Sequence, residues 1–307
     1  MSADAVTFER VSRRYGAVEA VKDLSLSIRA GEMFGLIGPD GAGKTTSIRM
    51  LCGLLRADSG QIHVLGADPV RQHREVTASV GYLSQRFSLY ADLSINENIA
   101  FFAEIHGMRD YGARRARLLE LTQLTQFANR LAGQLSGGMK QKLALACTLI
   151  HEPRLIVLDE PTTGVDPVSR REFWKLLSEF LSQGITIVMS TPYLDEAERC
   201  SRVALLHNGQ LLALDTPDAL RRSLPGALFE VIAADHRQAV AALRRFPDVA
   251  NVQTFGERAH VRLTEAGGQG ADRLTRELRE AGVAVTSVRQ VPPSLEDVFV
   301  TRLGELQ

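Results

Sequence analysis

The chain has little of what marks several common functions. Its three cysteines, Cys52, Cys147 and Cys200, form no C-x-x-C pair in 307 residues, so the expectation is buried or idle thiols in a reducing compartment. Net charge is absent as well: 36 Lys and Arg balance 36 Asp and Glu, and no overall field draws the chain to nucleic acid or to an anionic membrane. The arginine pairs at 13–14, 114–115, 170–171, 221–222 and 244–245 are scattered and read as solvated surface rather than a phosphate-binding stripe. No apolar run approaches the roughly 18 uninterrupted residues of a membrane span, and "MSADAVTFER" lacks the charged-then-apolar pattern of a signal peptide. If the protein acts at a membrane, another chain is expected to span it. Internal repeats and low-complexity tracts are missing too.

What is present is ordinary in amount and ordered in pattern. Apolar residues at 45% and charged ones at 23% suit a globular chain long enough to bury two cores. "VTFERVS" and "LSLSI" alternate with period two, whereas "MFGLIG", "RLIVLDE" and "ITIVMS" are continuous apolar runs, the pattern of strands buried on both faces. The mixture predicts an α/β fold with a parallel core sheet wrapped by helices and an antiparallel piece near the N-terminus. Between about 87 and 150 the pattern turns helical, with "NENIAFFAEIHGM" and "RRARLLELTQL" at helical spacing, which suggests an inserted helical subdomain. "RRSLPGA" punctuates the chain near 222. The segments beyond it follow a βαββαβ order, predicting a small α+β ferredoxin-like sandwich over 223–307, closed by the amphipathic segment "SLEDVFVTRLGE". His236 and His260 in this second unit are isolated and lack metal-ligand spacing.

Three motifs carry chemistry. "GPDGAGKT", Gly38 to Thr45, matches G-x-x-x-x-G-K-[ST] between a strand and a helix. Its glycines let backbone N–H groups close around the phosphates of a nucleoside triphosphate, with Lys44 adding charge and Thr45 a hydroxyl for Mg2+. "RLIVLDE" ends a buried strand on Asp159, read as a metal ligand, and Glu160, read as the group facing the attacking water, with strand alternation expected to point the two in opposite directions. "QLSGGMKQK" places Ser136, Gly137 and Gly138 at the start of a helix, a second N-terminal nest for an anion.

In this order the motifs resemble an ATPase subunit of an ABC transporter, over residues 6 to about 220. Tyr15 of "RRYGAV", "GPDGAGKTT", Gln85 of "GYLSQ", "LSGGMKQ", "LIVLDE" and Asp166 of "TTGVDP" stand where that family's motifs stand. The spelling of the phosphate loop, with Asp40 where Asn is commoner, and the tail "PPSLEDVFV" resemble the bacterial multidrug-export branch of the daunorubicin-resistance type. The resemblance implies a P-loop ABC ATPase fold over 1–222 followed by an accessory domain. It implies ATP and Mg2+ held by Tyr15, Gly38, Pro39, Asp40, Gly41, Ala42, Gly43, Lys44, Thr45 and Thr46, with Thr45, Gln85 and Asp159 toward the metal and Glu160 and Gln85 as the catalytic pair. Two cassettes are then expected to close head to tail, so that Ser136 and Gly138 serve the partner's ATP, with Gly137 and Asp166 also expected to bind nucleotide. Membrane-spanning permease subunits and a second cassette, preferably a different one, are the expected partners, and the chain is expected on the cytoplasmic face of the membrane. Phe87, Leu89 and Tyr90 suit either a permease-docking surface or packing within the helical subdomain. No long coiled-coil insertion or basic linker is present, which argues against a DNA-repair or translation ATPase and against a nucleic-acid partner.

One position departs from the family. In "IVMSTPYLDEAERC" Pro192 stands where the resemblance implies a histidine that contacts the γ-phosphate. Proline is expected to fit a strand-to-helix junction, with Thr191 as cap and Pro192 opening the helix, yet it has no donor and no charge. Two uses follow: an energising ATPase whose own site is slow, or a nucleotide-gated module with little turnover.

Overall fold

The computed structural model describes residues 4–85, 89–264 and 269–305. The two apolar patterns of the sequence build different sheets. Alternating segments form β1 (Asp4–Tyr15) and β2 (Val18–Arg29), which pair antiparallel about Gly16. Continuous apolar runs form β3 (Met33–Ile37), which leads into α1 (Lys44–Leu51). After β4 (Ser59–Val64), which joins β1, come α2 (His73–Ser79) and β5 (Val80–Leu83). Three longer helices follow: α3 (Ile95–Ile105), α4 (Gly112–Leu121) and α5 (Gly137–Leu149). The chain then returns to the sheet through β6 (Leu155–Asp159), α6 (Pro167–Ser182), β7 (Thr186–Thr191), the single turn α7 (Leu194–Ala197), β8 (Arg202–His207) and β9 (Gln210–Asp215).

The six-stranded sheet runs β5-β6-β7-β3-β8-β9, parallel except for β9, and the three-stranded sheet runs β2-β1-β4. Every residue of β3, β6 and β7 is buried, as expected for strands covered on both faces. Val6 and Phe8 of β1, Ile48 and Leu51 of α1, and Leu155, Val157 and Val188 of the parallel sheet share one cluster. Burying each such side chain contributes roughly 1.5–3 kcal/mol, so the antiparallel sheet and α1 are fixed against the strand ends that carry the site. The helix starts are equally specified. Ser94 and Glu97 form a capping box on α3, Ser136 caps α5, and Asp166 caps α6 with Pro167 behind it.

The chain divides into compact units at 216/217. The second unit comprises α8 (Pro217–Arg222), β10 (Ala227–Ala233), α9 (His236–Leu243), β11 (Val249–Phe255), β12 (Arg258–Leu263), α10 (Gly270–Glu280), β13 (Val285–Gln290) and α11 (Leu295–Gly304). Its antiparallel sheet has the order β11-β12-β10-β13, the βαββαβ sandwich that the sequence predicts. Phe229, Val261, Leu243, Leu274 and Leu278 fill its core. His260, isolated in the sequence, is satisfied in the fold: its Nδ1 lies 2.9 Å from Oδ1 of the buried Asp297 on α11.

Candidate functional site

Parallel strands leave their carboxyl ends on one edge of the sheet, and the loops there form the natural crevice of an open α/β fold. β3 ends at Ile37 and the chain turns through Gly38–Gly43 into α1. Two glycines are obligatory for this path. A Cβ on Gly38 would sit 2.2 Å from the Leu206 carbonyl oxygen, and Gly43, at φ 98°, would place one 2.5 Å from the Ala20 carbonyl oxygen. No side chain caps α1 and no acid lies in its first turn, so its leading N–H groups and positive dipole end are left for an anion.

A cleft of about 790 Å³ opens over this loop, lined by Tyr15 and Val18 from the antiparallel sheet, by Asp40 to Thr46, and by Gln85, Glu160 and Asn208. Tyr15 is half exposed, with the Arg13 guanidinium 5.2 Å from its ring centre. Lys44 is almost fully buried: its Nζ donates to the carbonyls of Gly38 (2.8 Å) and Pro39 (3.1 Å) and pairs with Glu160 Oε1 at 3.1 Å. Gln85 Nε2 donates to the other oxygen, Glu160 Oε2, at 3.0 Å. Thr45 Oγ1 donates to Asp159 Oδ1 at 3.1 Å. The phosphate loop, Gln85 and both carboxylates are therefore brought together.

The two carboxylates separate by a route that strand alternation does not describe. Asp159 is the last residue of β6, and Glu160 beyond it adopts φ 50°, a left-handed conformation costing about 1–2 kcal/mol for a residue with a Cβ. The turn carries Glu160 to Lys44 while Asp159 reaches Thr45, so both face the phosphate loop instead of opposite sides of a strand. The Glu160 N–H is held by the Ser190 hydroxyl at 3.0 Å, and that hydroxyl donates to Asp159 Oδ1 at 2.6 Å. Ser190 was invisible as a functional residue in the sequence; the only signal was a polar residue near the end of an all-buried strand.

Other candidates lie elsewhere. Ser136 accepts from the Met139 N–H at 3.3 Å, and Gly137 and Gly138 begin α5. The Asp166 carboxylate accepts from the N–H groups of Val168 and Ser169, and hydrogen bonding by the Ser169 side chain, then by these N–H groups, holds its pKa below the usual carboxylate value. None of these four residues lines the cleft. Phe87 lies outside the described residues; Tyr90 is exposed, packs edge-on against Phe101 and is fixed at its backbone by the buried Asn98.

The junction after β7 differs from its expected form. α7 begins at Leu194, with Tyr193 at the cap position and no side-chain cap, so Pro192 precedes the helix instead of opening it. Glu196 ties this junction together. This buried carboxylate accepts from Thr191 Oγ1 at 2.7 Å and Thr162 Oγ1 at 2.6 Å, and Thr191 Oγ1 also accepts from the Tyr193 N–H at 3.1 Å. Tyr193 is partly exposed, with the Arg170 guanidinium 5.0 Å from its ring centre, and it does not line the cleft.

A glycine-bounded loop on a helix N-terminus, a buried lysine, and paired carboxylates at the end of the neighbouring strand define a nucleoside-triphosphate-binding cassette. Comparisons with known proteins make the class specific. The family described as ABC transporter matches residues 21–163, and that described as ATP-binding protein DrrA1-3-like, C-terminal domain, matches 216–302. The chain is 39% identical over 312 residues to the probable multidrug ABC transporter ATP-binding protein YbhF of Escherichia coli, covering 99% of this chain and 53% of that protein. It is 36% identical to the daunorubicin resistance ATP-binding protein DrrA2 of Streptomyces coeruleorubidus, covering 99% and 96%, and 36% identical to the Nod factor export ATP-binding protein I of Rhizobium sp. strain N33, covering 99% and 98%. It thus spans about half of YbhF and nearly all of the other two. A solved ATP-binding subunit of an ABC transporter superposes with a TM-score of 0.65 at 31% identity, covering 71% of this chain and 92% of that one. The chain belongs to the family of ABC transporter ATP-binding proteins, with a C-terminal domain of the DrrA type.

Proposed function

We propose that this chain is the ATP-binding and ATP-hydrolysing subunit of an exporter, and that its own site turns over slowly because Pro192 stands at the switch position. The observation that supports this most is the contrast at the ends of β6 and β7. Asp159 and Glu160 are both engaged around the phosphate loop, while Thr191 spends its hydroxyl on Glu196 and Pro192 has no donor. Losing one transition-state donor typically costs about 10²- to 10³-fold in rate.

Each residue has a role in this reading. Tyr15 offers a face for the adenine, and the loop from Gly38 to Thr46, through Pro39, Asp40, Gly41, Ala42 and Gly43, surrounds the phosphates with backbone N–H groups. Lys44, now paired with Glu160, turns to the phosphates, so nucleotide and Glu160 compete for one cation. Thr45 and Asp159 present a hydroxyl and a carboxylate on one spot beside the loop, a hard-oxygen set of the kind magnesium takes when phosphates complete its shell. No group of three or more His, Cys, Asp or Glu among the described residues forms a separate metal site. Bound Mg2+ supplies charge neutralisation for the transferring phosphoryl group. Glu160 accepts the proton of the water whose oxygen bonds to the γ-phosphorus as the bond to ADP breaks, and Gln85 holds that carboxylate.

Ser136, Gly137, Gly138 and Asp166 lie apart from this cleft and suit the nucleotide of a second cassette across a head-to-tail dimer. The dimer reading fits a heterodimer in which the partner carries the donor that Pro192 lacks. No described helix is long and apolar enough to cross a membrane, so permease subunits would carry the path and the cassette would sit on their cytoplasmic side. The exported compound, by analogy with relatives named for multidrug, daunorubicin and Nod factor export, is a drug or another hydrophobic compound. Purifying the chain from its native membranes tests the assembly. Co-isolation of multi-spanning subunits and a second cassette supports it, and isolation of the chain alone from intact membranes contradicts it.

A further inference from the structure

Ser190 belongs to none of the three motifs that carry chemistry, yet one oxygen atom there meets both the Asp159 carboxylate and the backbone N–H of Glu160. The strand register pairs it with Asp159 of β6 on one side and Leu36 of β3 on the other, at the centre of the parallel sheet, and it is fully buried. Its hydroxyl donates to Asp159 Oδ1 at 2.6 Å, within the short range of a hydroxyl on a charged carboxylate. The same oxygen accepts from the Glu160 N–H at 3.0 Å. A hydroxyl carries one proton and two lone pairs, so it can do both at once, which neither an alkyl group nor an ammonium can.

The two bonds act on different parts of the site. Thr45 also donates to Asp159 Oδ1, at 3.1 Å, but its oxygen is the one that a metal beside the loop would share. Ser190, sealed from solvent, has no such competitor, so it is the constant restraint on how Asp159 is turned. Its bond to the Glu160 N–H, beside a second from that N–H to the Ser190 carbonyl at 3.2 Å, fixes the left-handed turn that carries Glu160 to Lys44. We propose that Ser190 is a positioning residue that orients Asp159 for Mg2+ and Glu160 for water through a single hydroxyl. The inference rests on the reading that Asp159 holds the metal accompanying ATP.

The test is ATP binding to the full chain, followed by displacement of a fluorescent nucleotide across a Mg2+ titration. It uses Ser190→Ala, Ser190→Cys, Ser190→Thr and Asp159→Asn, with thermal unfolding recorded for each. Ser190→Ala is expected to raise the half-saturating Mg2+ concentration about ten- to a hundredfold, leaving ATP affinity without Mg2+ unchanged, and Ser190→Thr restores the wild-type value. Should the alanine variant not fold, Ser190→Cys, close in volume and a poor donor, gives the same comparison against Ser190→Thr. A wild-type Mg2+ dependence in the alanine and cysteine variants, with only stability altered, overturns the proposal while a shifted Asp159→Asn leaves the metal reading standing. An unshifted Asp159→Asn removes the metal reading and the proposal together.

Discussion

The ends of β6 and β7 lie side by side in one sheet, and they have been put to opposite uses. β6 ends in two acids, each bonded to at least two groups of the phosphate loop, Gln85 or Ser190. β7 ends in Ser-Thr-Pro, where two hydroxyls are committed to carboxylates and the third side chain can donate nothing. On the proposed reading, the first end holds nucleotide and metal and the second lacks a transition-state donor. Such a site would separate holding ATP from breaking it.

Removing Glu160 attacks the intact end. In a Pro192→His background, where faster turnover is expected, Glu160→Gln should lower the ATPase rate about 10²- to 10⁴-fold, the usual worth of a positioned base. ATP affinity should hold or rise, because a rival anion for Lys44 has been neutralised; weaker binding would show that Glu160 supports the nucleotide directly. Tyr15 tests how much binding comes from outside the loop. Tyr15→Ala should weaken ATP by about 1–3 kcal/mol, the worth of one aromatic–base stack, and Tyr15→Trp should keep it; equal affinity in all three proteins, measured by calorimetry, would remove adenine stacking from the account.

The smallest effect lies far from the chemistry. His151 stacks on His106 with ring centres 3.7 Å apart, and burial, followed by the charge of His106, pushes its pKa down from 6.5 to about 4. The fold therefore favours neutral His151, a preference that the nearby Arg114 charge reinforces. Its contribution to stability is complete above pH 6.5 and is lost as pH falls from 6.5 toward 4. Melting temperatures of the wild type and His151→Gln across that window should converge at the acid end, and parallel curves would contradict the assignment.

Much of the first unit was legible because its signals are local. A phosphate loop needs glycines at fixed offsets, and continuous apolar runs distinguish strands buried on both faces from the alternating edge sheet. The rest depended on partners far along the chain. Glu160 reads as a strand residue until its left-handed turn is seen, and that turn depends on Ser190, thirty positions away. Thr191 reads as a helix cap, but its hydroxyl donates to the buried Glu196, five residues on, and the cap position falls to Tyr193. His260 reads as solitary because Asp297 lies 37 residues beyond it. Periodicity cannot report a pairing that only the closed sheet creates.

The most direct test of the central claim is a paired measurement of ATP affinity and hydrolysis on the purified chain and on Pro192→His. Equal affinities with a rate about 10²- to 10³-fold higher in the histidine variant are the predicted result. Brisk hydrolysis by the wild-type chain alone, unchanged by the histidine, would contradict it.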